Sequence, residues 1–312
     1  MRLLNSMKKR RYFIITVDTE GDNLWDYKEG EKVQTKNALF IPRFQELCEK
    51  YGFKPVYLTN YEMILSSDFV QYIKPKVEAG LCEVGIHIHA WNNPPYYELN
   101  GPYNGNPYLI EYPYEVMREK FKVTYDLICE RIGVPPVSHR AGRWAMNDEY
   151  FRLLKDFDVK ADCSYTPLVS WSHCPGKIIS AGPDYTKASV YPSVINGVLE
   201  VPMTYRKKRF LSNGSLKHKI KMLIKGDLLA LRPAIEPLEN MKKLCANISM
   251  DPKADYVELM IHSSELMPGG SPYFKDEHSI ESLYNSLFEL FEFAKKQSFE
   301  GITLGEYAEY IG

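Results

Sequence analysis

Two histidines one residue apart, His87 and His89, end the run Cys82–His89 (CEVGIHIH). The apolar residues around them predict a strand, and period-two alternation then turns both imidazoles to one face. Two imidazoles so placed can meet on one zinc ion at about 2.0–2.1 Å each. A catalytic zinc takes a further protein ligand and leaves one position open for water. The first apolar run, Tyr12–Asp18, leads into Asp18-Thr19-Glu20-Gly21-Asp22. Asp18 and Glu20 are also two apart, so one carboxylate can bind metal while the other takes a proton from water. His262 closes the run Tyr256–His262 (YVELMIH), where it can protonate a leaving amine or ligate the metal. Arg140, in Ser138–Trp144 (SHRAGRW), can hold a catalytic carboxylate by paired hydrogen bonds and keep it ionised. Asp162, in Ala161–Tyr165 (ADCSY), is a candidate partner for Arg140 or for the catalytic histidine. Nucleophilic chemistry has less support. Ser263 and Ser264 follow His262 without a G-x-S-x-G turn, and neither a Walker loop nor a strand-linked G-x-G-x-x-G is present.

The elements that must position these residues alternate along the chain. Strands are predicted at 12–18, 54–59, 82–89, 137–139, 161–165, 199–202, 256–262 and 301–303. Helices are predicted at 39–51, near 69–79, and at 114–132, 148–157, 279–297 and 304–310. Gly52, Gly80 and Gly133 stand where helices should stop. Repeated strand–helix alternation predicts an α/β fold with a parallel barrel or sheet, whose chemistry lies at the C-terminal ends of the strands. Asp18, Glu20, His87, His89, Arg140, Asp162 and His262 all fall at or just beyond those ends.

Bulk properties narrow the function further. A chain of 312 residues suits one α/β barrel, and 45% hydrophobic residues can build a large core. The net charge of -1 gives no field that would select nucleic acid. Six cysteines occur without a C-x-x-C pair, which fits reduced thiols in a cytoplasmic protein. The basic leader before Tyr12 precedes too short an apolar run to read as a signal peptide, and no segment reaches the length of a membrane span. Residues 203–255 read as a helical insertion, with an amphipathic helix at 217–231. Within it, 206–226 carries eight Lys or Arg and no acidic residue. That run predicts a solvated face, with peripheral docking on an anionic membrane as the alternative.

Five segments in order resemble the motifs of the polysaccharide deacetylase family, carbohydrate esterase family 4. They are Thr16–Gly21 (TVDTEG), Glu83–His89 (EVGIHIH), His139–Trp144 (HRAGRW), Asp162–Tyr165 (DCSY) and Met260–Ser263 (MIHS). The similarity spans most of the chain and is nearest to a divergent branch acting in bacterial surface-glycan biosynthesis. The resemblance implies a single catalytic domain over 1–312, a distorted (β/α)7-type barrel, and metal-dependent removal of an N-acyl group, N-acetyl first, from a sugar. It also implies a divalent cation, zinc first, held by His87, His89 and Glu20, with Asp22 as the other candidate carboxylate. Asp18 matches the base, Arg140 its orienting partner and His262 the general acid, with Asp162 supporting them. Trp91, Trp144 and Tyr165 are expected to stack on a carbohydrate. Thr19 stands where the family has a second Asp, the paired histidines are two rather than four apart, and Ala141 replaces a Pro. Two alternatives stay open: a deformylase of a lipid-linked amino sugar, and a glycan-binding protein that has lost catalysis.

Overall fold

A computed structural model describes residues 10–22, 24, 27, 31–208 and 228–312. The central sheet contains β1 (Arg11–Thr19), β2 (Pro55–Thr59), β3 (Glu83–Ile88), β4 (Ser138–Ala141) and β5 (Ala161–Asp162). It continues with β6 (Ser193–Ile195) and β7 (Val198–Glu200), while β8 (Tyr205–Lys207) and β9 (Leu228–Ala230) form a separate hairpin. Two more strands, β10 (Tyr256–His262) and β11 (Phe299–Gly301), complete the sheet. Its order is β10–β1–β2–β3–β4–β5–β7–β6, with β11 against the start of β1. Every neighbour from β10 to β7 is parallel, and β6 alone is an antiparallel edge. That makes seven parallel strands on the main path, the number expected of the curled barrel.

The sheet does not close by a β7–β10 ladder. The chain beyond β7 spans the gap instead. Tyr256 Oη donates to Pro202 O at 2.5 Å, Glu258 N donates to Thr204 Oγ1 at 2.8 Å, and Met260 N donates to Leu231 O at 3.1 Å. Buried backbone groups that lack a strand partner are thereby satisfied.

Helices cover the outer face: α1 (Ile41–Lys50), α2 (Tyr61–Leu65), α3 (Ser67–Glu78), α4 (Tyr114–Ile132), α5 (Asp148–Asp156), α6 (Leu238–Met250) and α7 (Glu277–Lys296), while α8 (Leu304–Ile311) packs on the inner apolar cluster. Local chemistry sets their ends. Asn60 and Asn147 cap α2 and α5 by accepting from Met63 N and Tyr150 N. Gly133 ends α4 at φ +96, a left-handed conformation open to glycine at no steric cost.

Strand alternation divides the core in two. Phe13, Ile15 and Val17 of β1 face outward and join the large cluster that includes Phe44 of α1 and Leu287 of α7. Tyr12 and Ile14 face inward with Val56, Leu58, Ala161, Cys163 and Leu199, and Tyr307 of α8 joins them. The inner face is therefore apolar toward the N-terminal ends of the strands. Two residues further up the same face of β1 come Thr16 and Asp18, where the interior turns polar.

Several boundaries depart from expectation. The strand at 161–165 is only two residues long, because the chain leaves the sheet after Asp162. The 203–255 insertion begins as the β8–β9 hairpin and ends in α6, so it is not helical throughout. The amphipathic helix at 217–231 is overturned at its end, where Leu228–Ala230 pairs with Tyr205–Lys207 in antiparallel β structure. Residues 217–227, and positions 209–226 of the basic run, lie outside the described residues. Among the described residues, no helix is long and apolar enough to cross a membrane. All six cysteines are free thiols.

Candidate active site and metal centre

His87 is the last inward-facing residue of β3, and His89 follows just past the strand end. Their rings meet edge to face, with Nε2 atoms 3.2 Å apart. Glu20, just beyond β1, brings Oε2 to 2.7 Å from His89 Nε2 and 3.5 Å from His87 Nε2. In a tetrahedral site with bonds of about 2.0–2.1 Å, ligand atoms stand ~3.3 Å apart; the 3.2 and 3.5 Å sides meet that spacing, while His89 and Glu20 at 2.7 Å stand at hydrogen-bond distance. His87 Nδ1 lies 2.8 Å from Arg140 O, so its N–H can donate there and leave the Nε2 lone pair facing Glu20. Burial lowers the His89 pKa despite Glu20 beside it, whereas at His87 Asp18 and Glu20 outweigh burial and raise the pKa, so the two rings are pushed in opposite directions. Glu20 is held well below the usual carboxylate range: the two histidines outweigh the cost of burial. The donor set and its orientation fit a divalent cation. Glu20 is thus the carboxylate of this cluster, and Asp22 is not part of it.

Beneath the cluster lies the charged floor of the barrel. Arg140 is fully buried. Its Nη1 donates to Asp18 Oδ1 at 2.5 Å, its Nη2 to Thr16 Oγ1 at 2.9 Å and also to Glu258 Oε1, and its Nε to Cys163 O at 3.1 Å. Thr16 Oγ1 also donates to Glu258 Oε1 at 2.7 Å. Burial alone would raise the Asp18 pKa, but Arg140, with His87 and His262, holds it below its ordinary value. Glu258 is pushed up to about 7 by burial, although Arg140 and Thr16 act against the shift. The guanidinium therefore fixes Asp18 in place and in its basic form.

His262 sits beside Asp18 in the β1–β10 register. Its Nε2 is 3.9 Å from Asp18 Oδ2 and 3.8 Å from Glu20 Oε1. Its Nδ1 is 3.6 Å from Glu265 Oε1. Burial lowers the His262 pKa, but Glu265, Glu20 and Asp18 outweigh it and raise the imidazole above its ordinary value, toward a proton donor. Ser263 is no nucleophile here. Its hydroxyl is buried against the Glu20 backbone, and Asn37 Nδ2 donates to both Glu20 O and Ser263 Oγ.

These groups open into a cavity of about 280 Å³ whose walls include Trp91, Arg143 and Trp144. The Trp91 ring lies 4.3 Å from that of His89. Trp144 covers Arg140 at 5.3 Å and stacks on Trp171 at 6.2 Å. Arg143 and Trp144 take φ of +55 and +65, two adjacent left-handed side-chain-bearing residues at the cavity wall. Gly142 allows the wall to pass this closely, since a Cβ there would lie 2.2 Å from Ile88 O.

Two expected site residues are corrected. Asp162 shares register with His139, one residue before Arg140 on β4 and hence on the opposite face. It bonds His139 Nδ1 at 2.6 Å and Ser164 Oγ at 2.8 Å, outside the barrel, and contacts neither Arg140 nor His262. Tyr165 packs on Tyr185 at 4.5 Å and Phe151 at 6.0 Å, because the chain has left the sheet by then, and it does not line the cavity. Sequence reasoning missed Glu258, Thr16, Glu265 and Glu62. Glu258 and Thr16 share the inward parity of His262 and Asp18, which places them on the site's face, but their contacts with Arg140, and that of Glu265 with His262, emerge only in the structure. Glu62 accepts from Gly21 N at 3.0 Å, Asn60 Nδ2 at 2.5 Å and Asn92 Nδ2 at 3.1 Å. It ties together the chain beyond β1, β2 and β3, and no sequence spacing announces that role.

No family model matches the chain, and no curated protein is similar to it in sequence. Solved structures are similar in fold. A putative polysaccharide deacetylase from Mycobacterium smegmatis aligns at a TM-score of 0.56 and 15% identity, over 96% of this chain and 90% of that one. The 4-alpha-glucanotransferase from Thermococcus litoralis aligns at 0.50 and 12% identity, over 96% of this chain and 38% of that one. The Xyl-CE4 domain of a multidomain xylanase from the hindgut metagenome of Trinervitermes trinervoides aligns at 0.45 and 12% identity, over 97% and 92%. The chain has the fold of the polysaccharide deacetylases, a curled and mostly parallel half-barrel.

Proposed function

We propose that this protein is a divalent-metal-dependent hydrolase that removes an N-acyl group from a sugar, N-acetyl first, in bacterial polysaccharide biosynthesis. One observation carries the reading: an Arg-held carboxylate, Asp18, and a carboxylate-oriented imidazole, His262, flank the Glu20–His87–His89 cluster in one cavity. Glu20, His87 and His89 would hold a divalent cation, zinc first for a His₂-carboxylate set, which would supply Lewis-acid polarisation and acidify a water. Asp18, kept ionised by Arg140, accepts the proton of the attacking water. The water oxygen bonds to the acyl carbon, and the C–N bond breaks. His262 gives its proton to the departing nitrogen, so an amine and a free carboxylic acid result. Trp91 and Trp144 line the cavity and are the aromatic side chains there that would contact the sugar.

The test is product analysis. Zinc-loaded protein is incubated with N-acetyl and N-formyl amino sugars, and acetate and formate are measured beside an Asp18→Asn control. Acetate released by the wild type alone supports the reading, and formate alone shifts it to a deformylase. Release of neither acid overturns it and leaves the glycan-binding alternative.

A further inference from the structure

Two of the three residues in the Glu20–His87–His89 cluster lie off the sheet. His87 belongs to β3, but Glu20 comes one residue after β1 ends and His89 one residue after β3 ends. Strand pairing therefore fixes neither of those two side chains. A ligand carried on a loop keeps its geometry only if its neighbours hold the loop.

β2 runs between β1 and β3 in the sheet, so a residue just past β2 stands between the two loops. Glu62, in the first turn of α2, occupies that place. Its Oε1 accepts from the N–H of Gly21, next to Glu20, at 3.0 Å. Its Oε2 accepts from Asn92 Nδ2 at 3.1 Å, and Asn92 N donates to His89 O at 3.3 Å. Asn60 completes the brace: its Nδ2 donates to Glu62 Oε1 at 2.5 Å and its N to Thr19 O at 3.1 Å. The approach at Gly21 is close, since a Cβ there would lie 3.1 Å from Glu62 Oε1.

The other supports act on one side each. Asn37 and Ser263 hold the Glu20 backbone. Lys120 holds Ala90 O, on the His89 side. Glu62 reaches both loops with one carboxylate. We infer that Glu62 is a positioning residue for the metal cluster, setting the separation of Glu20 and His89 and through it the affinity for a divalent cation. It does not line the cavity and acts through the two loops. The inference rests on the metal-dependent reading of the site.

The probe is zinc alone. Its affinity is measured by competition with a chromophoric chelator for wild type, Glu62→Ala, Glu62→Gln and Asn92→Ala, beside the melting temperature of each metal-free protein. Glu62→Ala frees both loops and should weaken zinc binding about 10–100-fold. Glu62→Gln should stay near wild type: its oxygen still accepts from Gly21 N, and its amide can donate to Asn92 Oδ1, which has no hydrogen-bond partner among the described residues, once the Asn92 amide turns over. Asn92→Ala releases the His89 side alone and should give a smaller loss, which keeps the test open if Glu62→Ala does not fold. A lower melting temperature with unchanged zinc affinity, in Glu62→Ala or in Asn92→Ala in its stead, overturns the inference and leaves Glu62 a support of the fold. Glu62→Gln as weak as Glu62→Ala overturns it too, because charge and not the hydrogen-bonded brace would then set the affinity. A wild type that binds no zinc overturns the metal reading itself and this inference with it.

Discussion

His139 and Arg140 are neighbours on one short strand, and each anchors a buried polar cluster. Arg140 points into the barrel, where it holds Asp18 and Glu258 beneath a cavity open to substrate. His139 points outward between sheet and helix, closed in by Asp162 at 2.6 Å and the Tyr150 hydroxyl at 2.8 Å. Both clusters bury ionisable groups and satisfy them by hydrogen bonds. Only the inner one lies beside groups that can meet water and a ligand. One residue of strand alternation thus separates chemistry from architecture.

Substitutions in the two clusters should separate in the same way. The largest effect is expected from Asp18→Asn, which keeps the shape but removes the base: kcat/KM should fall about 10²–10⁴-fold, with metal content preserved. Arg140→Met should lose activity and also about 3–5 kcal/mol of stability in urea unfolding, because it strands two buried carboxylates. Asp162→Asn should cost about 1–3 kcal/mol by weakening the His139 bond, while activity measured below the unfolding range stays near wild type. An activity loss matching that of Asp18→Asn would return Asp162 to the active site. The smallest effect concerns pH. Burial lowers the His139 pKa despite Asp162, so folded protein keeps this ring neutral where the unfolded chain binds a proton. The unfolded state then binds more protons below about 6.5, and stability falls with pH there. His139→Gln should flatten the fall between pH 6.5 and 5, and a profile parallel to wild type would contradict this account.

Much of the inner cluster was legible because it follows simple periods. His87 and His89 are two apart, Asp18 and Glu20 are two apart, and each pair ends a recognisable strand. Asp162 was misread because β5 is too short to reveal its parity, and only its register with His139 settles the face. Tyr165 lies past the end of that same strand, where alternation no longer predicts direction. Glu258 went unnoticed although it is four residues before His262 on one face, since an acidic residue in a buried strand makes sense only once Arg140 is seen opposite it. Glu62 depends on loops that meet only in three dimensions, and no local pattern encodes such meetings.

The central proposal is that Glu20, His87 and His89, above the Arg140 cluster, hold a divalent metal and that the His139 cluster does not. The most direct measurement is zinc stoichiometry after loading and dialysis, for wild type, His87→Ala, Glu20→Gln and Asp162→Asn. The account predicts about one zinc per chain in wild type and Asp162→Asn, and loss of it in the other two. A wild type that retains no zinc, or a His87→Ala variant that retains it, would contradict the account.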